Sequence, residues 1–226
     1  PDESIADPLP PPPPGSSDDE TIYEDAEDGD TVGWNVSGTG ASLQNIYEDA
    51  KQGNVLVLSG TLAPIAELKN KDGTNWANST QKVLSWDMNT KTNAQVKVPL
   101  ETDKGLKHLV YATNDLTFSN TPDGNYAYIW LDPKLKDGNW HTIARDLQAD
   151  LSSVKPGITI NKVNAVQFWW PQKIDNIKLM KSSSNATLPP PVPFEPQTVE
   201  ISKTIYHHTD HLSGSNIDTD ETGKVV

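Results

Sequence analysis

Adjacent Trp169 and Trp170, with Gln167 two and three residues before them, are the side chains of this sequence best suited to holding a ligand. The CH groups of a sugar ring stack on an indole or phenol face, and amides read its hydroxyls. Neighbouring strand residues point to opposite faces, so at least one of the two indoles is expected at the surface. Trp169 then shares a face with Gln167. Tyr126, Tyr128 and Trp130 form a second stripe at strand spacing, and His108 and Arg145 are available as polar contacts. This stripe reads first as core filling, with a ligand platform as the alternative. Trp140 reads as core. The candidate carbohydrate-binding set is therefore Trp169, Trp170, Gln167, Tyr128 and Trp130.

Catalytic constellations are missing. The sequence has no Gly-x-Ser-x-Gly elbow, no His-Glu-x-x-His and no glycine-rich phosphate loop. With 0 Cys, thiolate nucleophiles, thiolate metal sites and disulfides are excluded. A glycosidase needs two carboxylates across a cleft, but with 31 Asp and Glu such a pair carries no signal. The reading is non-catalytic.

The elements that must position these side chains are short strands. Val55 to Leu58, Lys82 to Met88, Ala94 to Val98, Leu106 to Thr113, Asn125 to Leu131, Trp140 to Leu147 and Val163 to Trp170 each have strand length and composition. Leu84, Trp86 and Met88 share one face of theirs. Lys71-Asp72-Gly73, Pro122-Asp123-Gly124 and Lys136-Asp137-Gly138 are turn signals between them. Asp146 to Ser153 allows one helical turn at most. The pattern predicts an all-β sandwich or barrel over residues 21–181.

Residues 1–20 form a proline-rich acidic arm, with Pro8 and Pro10 to Pro14 favouring extended polyproline geometry. Residues 182–197 form a second proline-rich linker, and 198–226 a strand segment that includes Val199 to Tyr206. The net charge of −13 repels nucleic acid and anionic membrane surfaces, and is compatible with calcium or a neutral sugar. No run approaches the ~18 apolar residues of a membrane span. The chain opens at Pro1-Asp2 and reads as a processed protein or a piece of a longer one.

Tyr23-Glu24-Asp25-Ala26-Glu27-Asp28-Gly29-Asp30 followed by Gly33-Trp34, together with Lys173 to Leu179, resembles the two ends of jelly-roll carbohydrate-binding modules. Asp137 to Thr142 with Arg145-Asp146-Leu147 resembles a strand common in bacterial sandwich domains. The resemblance implies a jelly-roll β-sandwich with extended proline-rich arms at both ends. It also implies a structural calcium where the first and last strands meet, held through oxygen ligands. Glu27 and Asp175 match those ligand positions best, with Asp25, Asp28 and Asp30 as partners. The alternative is a solvated acidic turn, with Asp175 bonded only to backbone. Ala26 stands where the family usually has an aromatic.

Tyr206-His207-His208-Thr209-Asp210-His211-Leu212-Ser213-Gly214-Ser215 and Thr219 to Val226 resemble the opening of an RHS or YD-repeat associated core, with Ser213 inserted. That family implies an extracellular or cell-surface β-rich protein. It accounts for the three histidines without a metal. Two functions follow. One is a binding module holding a larger surface protein to polysaccharide. The other is a structural subunit of an extracellular filament, self-associating by β-strand addition through its arms.

Overall fold

Strict alternation builds the two sheets, and β8 (Gln95–Thr102) shows it most plainly. Its Val96, Val98 and Leu100 are buried, while Gln95, Lys97 and Pro99 between them are partly exposed. In the computed structural model the described residues are 16–17, 19–113, 120 and 124–181, with the backbone of 206–209 and 216–219. Residues 1–15 of the N-terminal arm and the proline-rich linker from 182 lie outside them, whereas 16–17 and 20 of that arm belong to strands.

Strands before β8 are β1 (Ser16–Ser17), β2 (Glu20–Glu24), β3 (Trp34–Thr39), β4 (Ser42–Glu48), β5 (Gly53–Ser59), β6 (Leu62–Leu68) and β7 (Val83–Asn89). After it come β9 (Gly105–Ala112), β10 (Tyr126–Trp130), β11 (His141–Asp146), the helix α1 (Leu147–Val154), β12 (Ile160–Val163), β13 (Val166–Trp169) and β14 (Gln172–Met180). The first sheet is centred on β14. One edge of β14 pairs with β7, which pairs with β11. The other edge pairs with β5 and then β4 over its first half, and with β2 and then β1 over its second. Asn176, at φ 51°, marks the change of partner. Asparagine tolerates this left-handed geometry better than most side chains. The second sheet runs β10-β9-β8-β13-β6-β3, with β12 also on β8. The two sheets make the expected jelly-roll sandwich.

The core lies between the sheets. Leu84, Trp86 and Met88 of β7 enter it together, as the spacing predicts. Trp86, Tyr111 and Phe168 are the largest fully buried side chains, and burial of one such as Phe168 contributes about 1.5–3 kcal/mol. One polar cluster is enclosed. Arg145 donates to both oxygens of Asp150, and Tyr111 donates to Asp150 Oδ2 at 2.7 Å. Asp146 caps α1 by accepting from the Ala149 amide at 2.9 Å, which sets the helix that delivers Asp150.

One departure from an antiparallel pattern matters for the surface. β10 pairs with β9 in parallel, Tyr126 beside His108 and Trp130 beside Ala112. On the outer side of β10, Asn120 stands in for a further strand. Its amide accepts from the Tyr128 N–H at 2.7 Å and donates to the Tyr128 carbonyl at 3.0 Å. This satisfies backbone groups that an edge strand leaves open.

The chain divides into units at Pro1–Val192 and Pro193–Val226. The second contains an antiparallel hairpin of β15 (Tyr206–Thr209) and β16 (Asn216–Thr219). The predicted strand from Val199 lies outside the described residues up to Tyr206.

Candidate functional site

The outer face of the second sheet gathers most of the predicted ligand-binding side chains, and strand register explains how. One row across the sheet is Tyr128, Val110, Lys97, Gln167, Glu67 and Asn35, each beside the next. The adjoining row is Trp130, Ala112, Gln95, Trp169, Ile65 and Ser37. Tyr126, His108 and Pro99 begin a third. Five steps of about 4.8 Å make this face about 24 Å wide. A cleft of about 210 Å³ opens among Gln95, Lys97, Val110, Tyr126, Tyr128 and Trp169.

The rings are held in place. Tyr126 stacks between His108 at 5.0 Å and Tyr128 at 6.0 Å between centroids. Gln167 donates to Glu67 at 2.7 Å and accepts from the Trp169 indole at 3.4 Å. The Lys97 ammonium lies 5.0 Å from the Trp169 ring centroid, in cation–π range. It pairs with no carboxylate among the described residues. Burial lowers the Lys97 pKa, and the charge of Glu67 only partly offsets this. Burial, and then the charge of Lys97, lowers the pKa of His108. Burial, then Tyr126, raises that of Tyr128. The face thus brings together an ammonium with no described carboxylate partner, an indole and amides.

Several expectations need correcting. The Tyr126-Tyr128-Trp130 stripe faces outward, because Ala127 and Ile129 take the core side. Trp169 and Gln167 share the outer face as expected, while Phe168 is buried. Trp170 is partly exposed but has left the strand. Its φ is 74° and its N–H bonds to the Pro64 carbonyl at 3.0 Å. Its indole nitrogen is buried without a partner among the described residues, and Trp170 is not among those that line the cleft. Arg145 belongs to the core cluster with Asp150, where it is 3% exposed. Trp140 is not core. It is partly buried on the outer face of the first sheet, where it lines a separate cleft. Lys97 and Gln95 were missed; their only sequence signal was alternation with Val96 and Val98.

The acids named for calcium are engaged in other contacts. Glu27 accepts from the Asn54 amide at 3.0 Å, Asp25 from Glu27 N and Asp30 from Val32 N. Asp28 pairs with Lys71 at 2.7 Å. Asp175 meets an ammonium, Lys51, whose Nζ is 3.0 Å from it and 2.6 Å from Asp87. Among the described residues no three acidic or histidine side chains converge as a metal site requires.

Residues 66–180, just over half of the chain, match the β-sandwich domain of D-glucuronyl C5-epimerase. The chain belongs to that family. The span matched to the glucuronyl epimerase β-sandwich family contains Glu67, Lys97, Tyr126, Tyr128, Gln167 and Trp169, and leaves Asn35 and Ser37 outside. Among solved structures, a family 11 carbohydrate-binding module from Clostridium thermocellum, in complex with a β-1,3-1,4-mixed-linked tetrasaccharide, is similar at 18% identity. The alignment covers 75% of this chain and 100% of that one, with a TM-score of 0.43. A family 29 carbohydrate-binding module from Piromyces equi is similar at 11% identity over 73% of this chain and 91% of its own, with a TM-score of 0.39. No curated protein matches the chain.

Proposed function

We propose that the outer face of the second sheet binds a polysaccharide without altering it. The observation that carries this reading is the row Tyr128-Lys97-Gln167 beside Trp169. There, fixed aromatic rings alternate with amides and a lysine free of any described carboxylate. Lys97 favours a glycan with carboxylates, and the family name, which refers to glucuronyl units, supports that class. An acidic glycan also needs a local positive site to approach a chain of net charge −13. The role is that of an extracellular binding module. The RHS-like phrase at the C-terminus supports membership of a larger surface protein.

Affinity electrophoresis of the full chain through gels containing polyglucuronate, polygalacturonate or neutral mixed-linkage β-glucan tests this. The expected result is retardation by a polyuronate, lost in Tyr128→Ala/Trp169→Ala and reduced in Lys97→Met. Free migration in all three gels counts against it.

A second reading rests on β4. This seven-residue strand pairs only with β5 among the described strands, and exposes Ile46 and Tyr47. Such an edge accepts a strand from a neighbour, as filament assembly through the arms requires. Sedimentation of the full chain at rising concentration tests it, and a monomer throughout removes it.

A further inference from the structure

The opposite face of the sandwich carries a cleft that the polysaccharide face does not use. It measures about 750 Å³ and is built on the first sheet. Asn89, Lys173 and Val57 stand side by side across β7, β14 and β5 and form its floor. Trp140 also lines it. Its indole N–H donates to Glu48 Oε1 at 3.3 Å, and Glu48 Oε2 pairs with Lys173 at 2.8 Å. These contacts hold the ring in one orientation before any ligand arrives, which lowers the ordering cost of binding.

Lys91 borders the same cleft. Its side chain lies across Gly138, so closely that a Cβ at that position would meet Lys91 Cε at 2.5 Å. Gly138 also has φ +81°, a left-handed backbone that glycine adopts without strain. Lys91 is exposed and pairs with no carboxylate among the described residues. The charged lining is then Lys91 and Lys173 against Glu48, a positive surplus on a strongly acidic chain. Ser59, Thr92 and Asn139 add hydroxyl and amide groups.

The two clefts thus share their parts: an indole with a lysine ammonium over its ring (Lys97 on Trp169, Lys51 on Trp140), amide neighbours and a lysine without a described carboxylate partner, Lys97 in one and Lys91 in the other. We propose that the Trp140 cleft is a second saccharide site for carboxylate-bearing glycans, making the domain bivalent. This rests on the polysaccharide reading of the Trp169 face. The clefts open on opposite sides of a two-sheet sandwich whose layers are about 10 Å apart, so one short oligosaccharide cannot fill both. A long polymer met at both faces is bridged to a second strand, and binding to it is strengthened by avidity.

Titration of the full chain with a β-1,4-linked glucuronate tetrasaccharide, read by calorimetry and by the indole N–H resonances, tests this. The expected stoichiometry is two, with the Trp140 and Trp169 indoles both shifting. Lys91→Ala, an exposed change, should weaken the Trp140 response at least tenfold and leave Trp169 unchanged. Trp140→Ala should reduce the stoichiometry to one. A stoichiometry of one with Trp140 unmoved overturns the second site and leaves the first standing. A response at Trp140 alone supports this cleft and overturns the Trp169 face as the binding site. No response at either indole overturns both.

Discussion

Replacing Lys51 by Met should destabilise the fold, because Lys51 is the cation between two buried carboxylates. Its Nζ lies 2.6 Å from Asp87 and 3.0 Å from Asp175, and the three side chains are 18%, 9% and 6% exposed. Asp87 and Asp175 are neighbours in register on β7 and β14. Burial alone would raise the Asp87 pKa, but hydrogen bonds from Asn176 and Lys51 outweigh it and hold that pKa low. Burial raises that of Asp175, with Lys51 offsetting only part. Burial disfavours the Lys51 ammonium, yet its bonds to both acids raise its pKa. Removing one partner of a buried ion pair costs about 3–5 kcal/mol. At about 2–4 °C per kcal/mol for a domain of this size, the melting temperature falls by roughly 6–20 °C. The pH dependence supplies a sign test. Without Lys51 the two carboxylates repel, and one takes up a proton more readily. Protonation relieves the variant, so its deficit against wild type should shrink between pH 7 and pH 5. Thermal melts of both proteins across that range are the assay, with Lys51→Met/Asp87→Asn expected to recover part of the loss. A loss below about 1 kcal/mol at pH 7 would place the pair in the surface class and refute the reasoning. So would a deficit that widens on acidification.

Three further outcomes follow from the same contacts. Tyr111→Phe removes the 2.7 Å bond to Asp150 inside the core and should cost about 2 kcal/mol in denaturant unfolding, the scale of a buried hydrogen bond to a charged group. Asn120→Ala strips the support from the outer side of β10, so hydrogen exchange at the Tyr128 amide should accelerate and polyuronate affinity should fall with little change in global stability. Added calcium should leave the melting temperature unchanged, since Asp175 already holds Lys51 and the acidic turn bonds its own backbone; a calcium-dependent rise would show that carbonyl oxygens complete a site there.

Much of the sandwich was legible because one face of several strands is plainly apolar. Leu84, Trp86 and Met88 alternate with polar or small residues, and so do Val96 and Val98, so the inner face of β7 and β8 could be assigned before any pairing was known. The outward stripe was not legible. On β10 both faces are apolar, Ala127 and Ile129 against Tyr126, Tyr128 and Trp130, so alternation identifies two faces without saying which is buried. The larger rings remain outside while the smaller side chains pack. Trp140 was misassigned for a related reason, since a ring tied to Glu48 across the sheet looks like any buried ring in sequence. Trp170 was misjudged because a left-handed backbone removed it from the strand period. The acidic turn suggested a cation and the structure holds one at Asp175, but it is Lys51, 124 positions away and invisible to any local pattern. The rows that assemble the binding face depend on pairing between distant strands, such as β13 with both β6 and β8, which no short-range signal encodes.

The most direct measurement is an experimentally determined structure of the chain with a bound glucuronate oligosaccharide. A sugar ring stacked on Trp169 or Tyr128, with a carboxylate on Lys97 and hydroxyls on Gln167 or Gln95, is the expected result. An oligosaccharide found elsewhere on the domain, with this face bare at saturating ligand, would contradict it.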